Sequence, residues 1–80
     1  MKVVEQIHDG QKEWNNLEAF ANDISTDLEY EGVLRDYFDS EKDYNNFRYN
    51  FFELEEDEQV RLLSYFKNDF TFEIIKEESV

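Results

Sequence analysis

Carboxylates dominate the chemistry available to this chain, and residues 53–58 hold the densest group of them. Five of these six positions are acidic, namely Glu53, Glu55, Glu56, Asp57 and Glu58. Clustered carboxylates can act as general acid and base, can ligate a divalent cation, or can present fixed negative charge to a basic partner. Each of these chemistries makes a different demand on the rest of the sequence.

Residues that would accompany carboxylates in catalysis are scarce. His8 is the only histidine and lies beside a predicted turn, and no serine or threonine lies in a recognisable nucleophile motif. The chain has two glycines, no glycine-rich phosphate loop, and no cysteine to act as nucleophile or zinc ligand. Because 21 residues are acidic, proximity between two of them carries no information about acid–base catalysis. We predict that the protein is not an enzyme and needs no cofactor.

A metal site is not predicted either. Residues 39–53 resemble a calcium-binding EF-hand loop in beginning with Asp39 and continuing with further acids. The sixth position of such a loop requires glycine for a sharp turn, and Tyr44 occupies it here. Weak binding of divalent cations by clustered carboxylates is expected and is incidental.

The negative charge extends along the whole chain and is not confined to an acidic tail. Asp and Glu number 21 against 8 Lys and Arg, which gives a formal net charge of −13. Residues 1–40 and residues 41–80 each contain more acids than bases. Solubility requires a net charge of only roughly 2–8 in magnitude. The excess favours a surface that binds a basic macromolecule, and an acidic surface kept only for solubility is the alternative.

Carboxylates that repeat along a helix form a fixed array of negative charges. A rise of ~1.5 Å per residue places neighbours on one face roughly 5–6 Å apart, which resembles the dense phosphate charge of duplex DNA. Asp23 and Asp27 are predicted to share a face, as are Glu55 and Glu58. Asp57 is expected to cap a helix. The predicted partner-binding residues are Glu53, Glu55, Glu56, Glu58, Asp23, Asp27, Glu29, Glu31, Asp36, Asp39, Glu41 and Asp43.

The sequence also limits where the protein acts. The first residues, MKVVE, lack the apolar stretch of a signal peptide, and no apolar run approaches the roughly 20 residues of a membrane-spanning helix. A chain without cysteine fits a reducing cytoplasm. Its negative charge is repelled by anionic lipid and by nucleic acid. We expect a cytoplasmic protein that binds neither membrane nor nucleic acid directly.

A single α+β domain over residues 1–80 is predicted to hold these carboxylates. Phe, Tyr and Trp make up 18% of the sequence, a content typical of a folded acidic domain and not of a disordered one. Residues 2–8 are predicted to form a strand because β-branched residues are frequent there. Residues 70–76 are predicted to form another, because Phe70, Phe72 and Ile74 alternate with other residues. The two terminal strands are expected to pair in a small sheet.

About four short amphipathic helices are predicted to pack on this sheet. The first spans roughly residues 12–30, ends at Gly32, and has an apolar face formed by Trp14, Leu17, Phe20, Ile24 and Leu28. A short second helix is predicted at residues 33–39. The third begins at an N-cap, Ser40, and continues through Tyr44, Phe47, Phe51 and Leu54. The fourth spans roughly residues 56–68 and buries Val60, Leu63 and Phe66.

Four aromatic residues lie outside these predicted apolar faces. They are Tyr37, Tyr49, Phe52 and Tyr65. Such residues either form the edge of a wide core or line an exposed patch that binds another protein. A homodimer, or a small adaptor protein that uses this patch, is therefore an alternative to a function based on charge.

In size, lack of cysteine, surplus of acids throughout and aromatic content, the chain resembles the acidic DNA-mimic proteins with which phages inhibit host DNA-binding proteins. It is similar in size and charge to the phage host-takeover inhibitors of the nucleoid protein HU. This resemblance is compositional and assigns no residue. It implies that surface carboxylates block the DNA-binding site of HU in the host cell. Anti-restriction, anti-CRISPR and nuclease-immunity proteins share this character and remain alternatives.

Overall fold

The computed structural model describes residues 1–76. They form a three-stranded antiparallel sheet and three α-helices. The strands are β1 (Lys2–Ile7), β2 (Gly10–Trp14) and β3 (Phe72–Ile75), and the helices are α1 (Leu17–Glu31), α2 (Glu41–Tyr49) and α3 (Glu56–Leu63). Short 3₁₀ turns occupy Leu34–Tyr37, Phe51–Glu53 and Ser64–Phe66. The predicted α+β class is confirmed, whereas the expected number of about four helices is wrong.

The middle strand of the sheet is β1, which pairs with β2 on one side and with β3 on the other. The predicted pairing of the two terminal strands is therefore present, but β2 was not predicted. The sequence pattern predicts that residues 12–14 belong to the first helix, because Trp14 is three positions before Leu17. In the structure Trp14 pairs with Val3 across the hairpin, and the helix begins only after Asn16.

One face of the sheet packs against α1. The strand register aligns Val3 with Trp14 and with Ile74, so all three side chains lie on that face. The ring of Phe20 on α1 lies 4.8 Å from that of Phe72 and 5.9 Å from that of Trp14, measured between centroids. The other face carries the Lys2–Glu13 ion pair. The sheet thus has one covered face, as is common in antiparallel sheets.

Both ends of α1 are defined by caps. The Asn16 side chain accepts a hydrogen bond of 2.7 Å from the Ala19 N–H at the start. Gly32 ends the helix in the left-handed conformation, with φ at 75°, as predicted. Between them α1 buries Leu17, Phe20, Ala21, Ile24 and Leu28. The predicted apolar face is therefore confirmed except at Trp14.

The second half of the chain packs around a cluster of phenylalanines. The rings of Phe38, Phe47 and Phe66 lie 5.0–5.6 Å from one another between centroids. The N-cap of helix α2 is Ser40, whose hydroxyl accepts a hydrogen bond of 3.2 Å from the Asp43 N–H. This confirms the predicted N-cap.

Three predicted helices in this half are shorter than expected. The third helix ends at Tyr49 and is followed by the 3₁₀ turn Phe51–Glu53, and the fourth ends at Leu63 and is followed by Ser64–Phe66. Residues 33–39 contain only a 3₁₀ turn. Apolar residues three or four positions apart fit an α-helix and also an α-helix that tightens into a 3₁₀ turn. The spacing therefore located these segments but did not define their ends.

Within residues 1–76, no helix is both long enough and apolar enough to cross a bilayer.

The C-terminal strand is shorter than predicted. Strand β3 begins at Phe72, so Phe70 precedes it. Phe72 and Ile74 lie on the covered face of the sheet, which confirms their predicted alternation. The last four residues of the predicted 1–80 domain lie outside the described part of the chain.

Candidate functional site

The structure separates the carboxylates that form ion pairs from those that do not. Ion pairs hold Glu13, Glu29, Glu41, Asp43 and Glu58. The other eight predicted partner-binding residues form no ion pair within residues 1–76: Asp23, Asp27, Glu31, Asp36, Asp39, Glu53, Glu55 and Glu56. All of these eight are exposed except Asp23, which is half-buried. The number of carboxylates whose charge is not neutralised by an ion pair is therefore smaller than the 21 acids of the sequence.

Three of the unpaired carboxylates form a row along one flank of α1. Asp23, Asp27 and Glu31 follow one another at steps of four residues, a rise of about 6 Å per step. Partial burial raises the pKa of Asp23, the charge of Asp27 raises it further, and the charge of Lys12 partly offsets both. The predicted proximity of Asp23 and Asp27 is confirmed. We refer to these three residues as the α1 acidic row.

Another carboxylate, Asp69, lies near Tyr37 in the segment between the last 3₁₀ turn and β3. A hydrogen bond between the Tyr37 side chain and Asp69 raises the pKa of Tyr37, and burial and the charges of Asp69 and Glu31 raise it further. Tyr37 is therefore close to both carboxylates. Asp69 was not among the predicted residues, because it is distant from Glu31 in the chain and no local pattern relates the two positions.

Glu31, the last residue of the α1 acidic row, stands at an unfavourable place on its helix. The C-terminal end of a helix carries partial negative charge and favours bases. The last turn of α1 contains no base, and it contains Glu29 and Glu31. Carboxylates four residues apart also repel each other by about 0.2–0.5 kcal/mol per pair. The row therefore weakens the helix that carries it.

The acidic run at residues 53–58 has a better structural explanation. Glu56, Asp57 and Glu58 lie in the first turn of α3, where the partial positive charge of the helix N-terminus favours acids. Glu58 also forms an ion pair with Arg61. The prediction that Asp57 caps this helix is wrong, because the N-cap is Glu55 and no side chain caps the first turn.

The same run does not form a single surface. Glu53, Glu55, Asp57 and Glu58 line one open groove at the start of α3. Glu56 lies instead in a shallow depression shared with Glu18 and Met1. The predicted contacts Glu55, Glu56 and Glu58 therefore point in at least two directions, although Glu55 and Glu58 share a face as predicted.

Asp43 is buried, and this corrects its assignment to the partner-binding surface. It accepts hydrogen bonds of 3.1 Å and 2.8 Å from Nη1 and Nη2 of Arg61 and one of 2.7 Å from the Tyr65 hydroxyl. The bonds from Arg61 and then Tyr65 hold the pKa of Asp43 below its usual value, although burial opposes them. Asp43 thus connects α2 with α3 and the following turn.

Two other predicted contacts are exposed but paired. Glu29 forms an ion pair of 2.5 Å with Arg48 and accepts a hydrogen bond of 3.3 Å from the Tyr44 hydroxyl. Glu41 forms an ion pair of 2.9 Å with Arg35. A partner would have to displace these arginines, so both carboxylates contribute less free negative charge than the α1 acidic row.

The four aromatic residues outside the predicted faces divide into two pairs. Tyr49 and Phe52 are exposed, at 61% and 64%. Tyr37 and Tyr65 are half-buried and pack on the phenylalanine cluster, so they belong to the edge of the core. Tyr30 is 93% exposed, but it is not among the aromatic residues predicted to line an exposed patch. Helical spacing alone does not show which residues of the uncovered helix faces lie close together.

Within the described residues, no group of three or more His, Asp or Glu side chains is arranged to hold a metal ion. His8 is exposed in the turn that joins β1 to β2. Comparisons with protein-family models, with curated proteins and with solved structures gave no match. The function is therefore inferred from the arrangement of the carboxylates.

Proposed function

We propose that this protein inhibits a basic DNA-binding protein, with its carboxylates occupying the sites that otherwise bind DNA phosphates. The α1 acidic row supports this proposal most directly. Its charges have no ion-pair partner within residues 1–76, and they lie where they weaken the helix. Residues that violate a local structural preference are frequent at functional sites. We therefore assign the row to the partner-binding surface.

The nucleoid protein HU is our preferred partner, because the chain is similar in size and charge to phage inhibitors of HU. Binding would require no chemistry and no cofactor, and it would take place in the cytoplasm of the host cell. The net charge of −13 would accelerate encounter with a basic protein, and the acceleration would decrease as salt increases.

The remaining carboxylates have subordinate roles in this proposal. Glu53, Glu55 and Asp57 present a second acidic surface at the start of α3. The second surface is subordinate because the helix dipole already accounts for part of its charge. Asp43 has a structural role only.

A competition experiment tests the proposal. A gel-shift assay would measure how much protein releases a DNA duplex from HU. The row variant combines Asp23→Asn, Asp27→Asn and Glu31→Gln, and a matched control combines Glu13→Gln, Glu29→Gln and Glu41→Gln. Both variants lose three negative charges from −13, but the control loses only carboxylates that are already ion-paired. Any difference between the two variants therefore reports the position of the charge.

We expect the wild-type protein to release DNA, and to do so more effectively at low salt. The row variant should be at least tenfold weaker, whereas the control variant should remain close to wild type. Equal weakening of both variants would show that only total charge matters and that the row is not the contact surface. If HU keeps its DNA at a large molar excess of this protein, HU is the wrong partner. If restriction, CRISPR and nuclease targets also fail to bind, the DNA-mimic function is refuted.

A further inference from the structure

Tyr30, in the last turn of α1, is the most exposed large hydrophobic side chain of residues 1–76. Asp27 is three positions before it, and Asp23 lies about 20° from it around the helix axis. Long side chains of an α-helix extend back over the preceding turn. In agreement, Tyr30 shares an open surface depression with Thr26, which is in the same turn as Asp27. An exposed ring therefore lies beside two members of the α1 acidic row.

A ring and a carboxylate with the same spacing hold an arginine on α2. Glu41 and Tyr44 are also three positions apart on one helix. Arg35 forms an ion pair of 2.9 Å with Glu41, and its guanidinium carbon lies 5.8 Å from the centre of the Tyr44 ring. Residues three apart on a helix are neighbours on its surface, so one guanidinium contacts both groups. The pair Asp27 and Tyr30 repeats this arrangement.

A second arginine is held by the same two kinds of group. Arg48 forms an ion pair of 2.5 Å with Glu29, and its guanidinium carbon lies 5.1 Å from the centre of the Tyr49 ring. Arg35 and Arg48 are two of the three arginines of the chain. Two lysines also lie over aromatic rings, but neither forms an ion pair within residues 1–76. In this fold, a ring combined with a carboxylate therefore holds a guanidinium.

No cation of the described chain completes the arrangement at Tyr30. Within residues 1–76, no ion pair holds Asp27, and no Lys or Arg lies over the Tyr30 ring. Arg48 lines the same depression as Tyr30, but its charge is neutralised by Glu29. The ring and the carboxylate are therefore accessible to a cation from another molecule.

We propose that Tyr30 and Asp27 bind an arginine side chain of the basic partner. The guanidinium plane stacks on the ring, and its N–H groups donate to the Asp27 carboxylate. Arginine is favoured over lysine because a guanidinium has a face that stacks and an edge that donates, whereas an ammonium is a compact point charge. This inference rests on the proposed function, since it assumes a basic protein partner, and it adds which side chain of that partner is recognised.

Titration with acetylated and amidated tetra-arginine and tetra-lysine peptides, without HU or DNA, tests this inference. NMR signals of the Tyr30 ring protons report on the site itself. Tyr30→Leu removes the ring at constant net charge, and its matched control is Tyr49→Leu, at another exposed tyrosine. Asp27→Asn removes the carboxylate, and its matched control is Asp36→Asn, at another exposed aspartate without an ion pair in residues 1–76. Circular dichroism checks that each variant folds.

We expect wild type to bind tetra-arginine about two- to fivefold more tightly than tetra-lysine, the equivalent of a cation–π contact of about 0.5–1 kcal/mol at an exposed site. Tetra-arginine should also shift the Tyr30 ring signals. Tyr30→Leu should remove the preference for arginine, and Tyr49→Leu should retain it. Asp27→Asn should weaken tetra-arginine binding more than Asp36→Asn, and it should reduce the shift of the Tyr30 signals.

The inference is refuted if wild type binds both peptides equally, if tetra-arginine does not bind at about 1 mM, or if the preference survives Tyr30→Leu. Equal effects of Asp27→Asn and Asp36→Asn would also refute it. HU competition that depends on the α1 acidic row can persist in each of these cases, so they leave the proposed function standing. Conversely, an arginine preference that is lost in Tyr30→Leu, together with failure to bind HU or the alternative targets, would reject DNA mimicry and keep the arginine site.

Discussion

Replacing Asp27 by Asn should stabilise the fold while it weakens partner binding. Asp27 is the middle residue of the α1 acidic row, so it is four residues from both Asp23 and Glu31. Each like-charge pair at this spacing costs about 0.2–0.5 kcal/mol, so removal of two pairs should contribute about 0.4–1 kcal/mol. Asn and Asp have similar helix propensities, so the change isolates the charge. For a domain of this size, the gain corresponds to a rise in Tm of about 2–8 °C.

The assay is thermal unfolding at low salt, followed by circular dichroism, together with the HU competition described above. Glu29→Gln is the control on the same helix. It removes the same charge but breaks the ion pair with Arg48, so Tm should not rise and competition should be nearly unchanged. The reasoning is refuted if Asp27→Asn lowers Tm, or if Glu29→Gln raises Tm as much. A stabilised Asp27→Asn variant that still displaces DNA like wild type would remove Asp27 from the contact surface.

Three further predictions follow from the charges. Asp43→Asn should lower stability by about 2 kcal/mol, the loss of charge-assisted hydrogen bonds to a half-exposed arginine, and lower Tm by about 8–16 °C. Because folding lowers the pKa of Asp43, its stabilisation is present above the unfolded pKa of about 3.9 and is lost as pH falls through the lower folded value. Acid titration of unfolding should therefore show a smaller loss of stability in the variant. Added salt should raise the Tm of wild type by screening self-repulsion, and a Tm unchanged up to about 0.5 M would contradict this. Replacing Glu55, Glu56 and Glu58 by Gln should weaken HU competition less than the row variant, and a larger effect would move the main contact surface to α3.

Features that depend on neighbouring residues could be predicted from the sequence. Ser40 and Gly32 cap helices as expected, and α1 buries the expected apolar residues from Leu17 to Leu28. Caps and helical faces are set by residues within one or two turns, so their signals are local. The α+β class could be predicted because the helical spacing of the aromatic residues and the strand patterns near both termini indicate the same buried core. The shared face of Asp23 and Asp27 was predicted for the same reason as the caps, since the two residues are one turn apart; that Glu31 continues this face was not predicted.

Only the tertiary structure decided which carboxylates are free. Asp43 and Asp27 are both acids within predicted helices, yet Asp43 is buried against Arg61, which is 18 positions away. Tyr37 likewise lies near Asp69, a residue from the other half of the chain. Such contacts join segments that are distant in the chain. They depend on how helices and strands pack, because an ion pair or a strand pairing forms only when folding brings both partners within a few ångströms of each other.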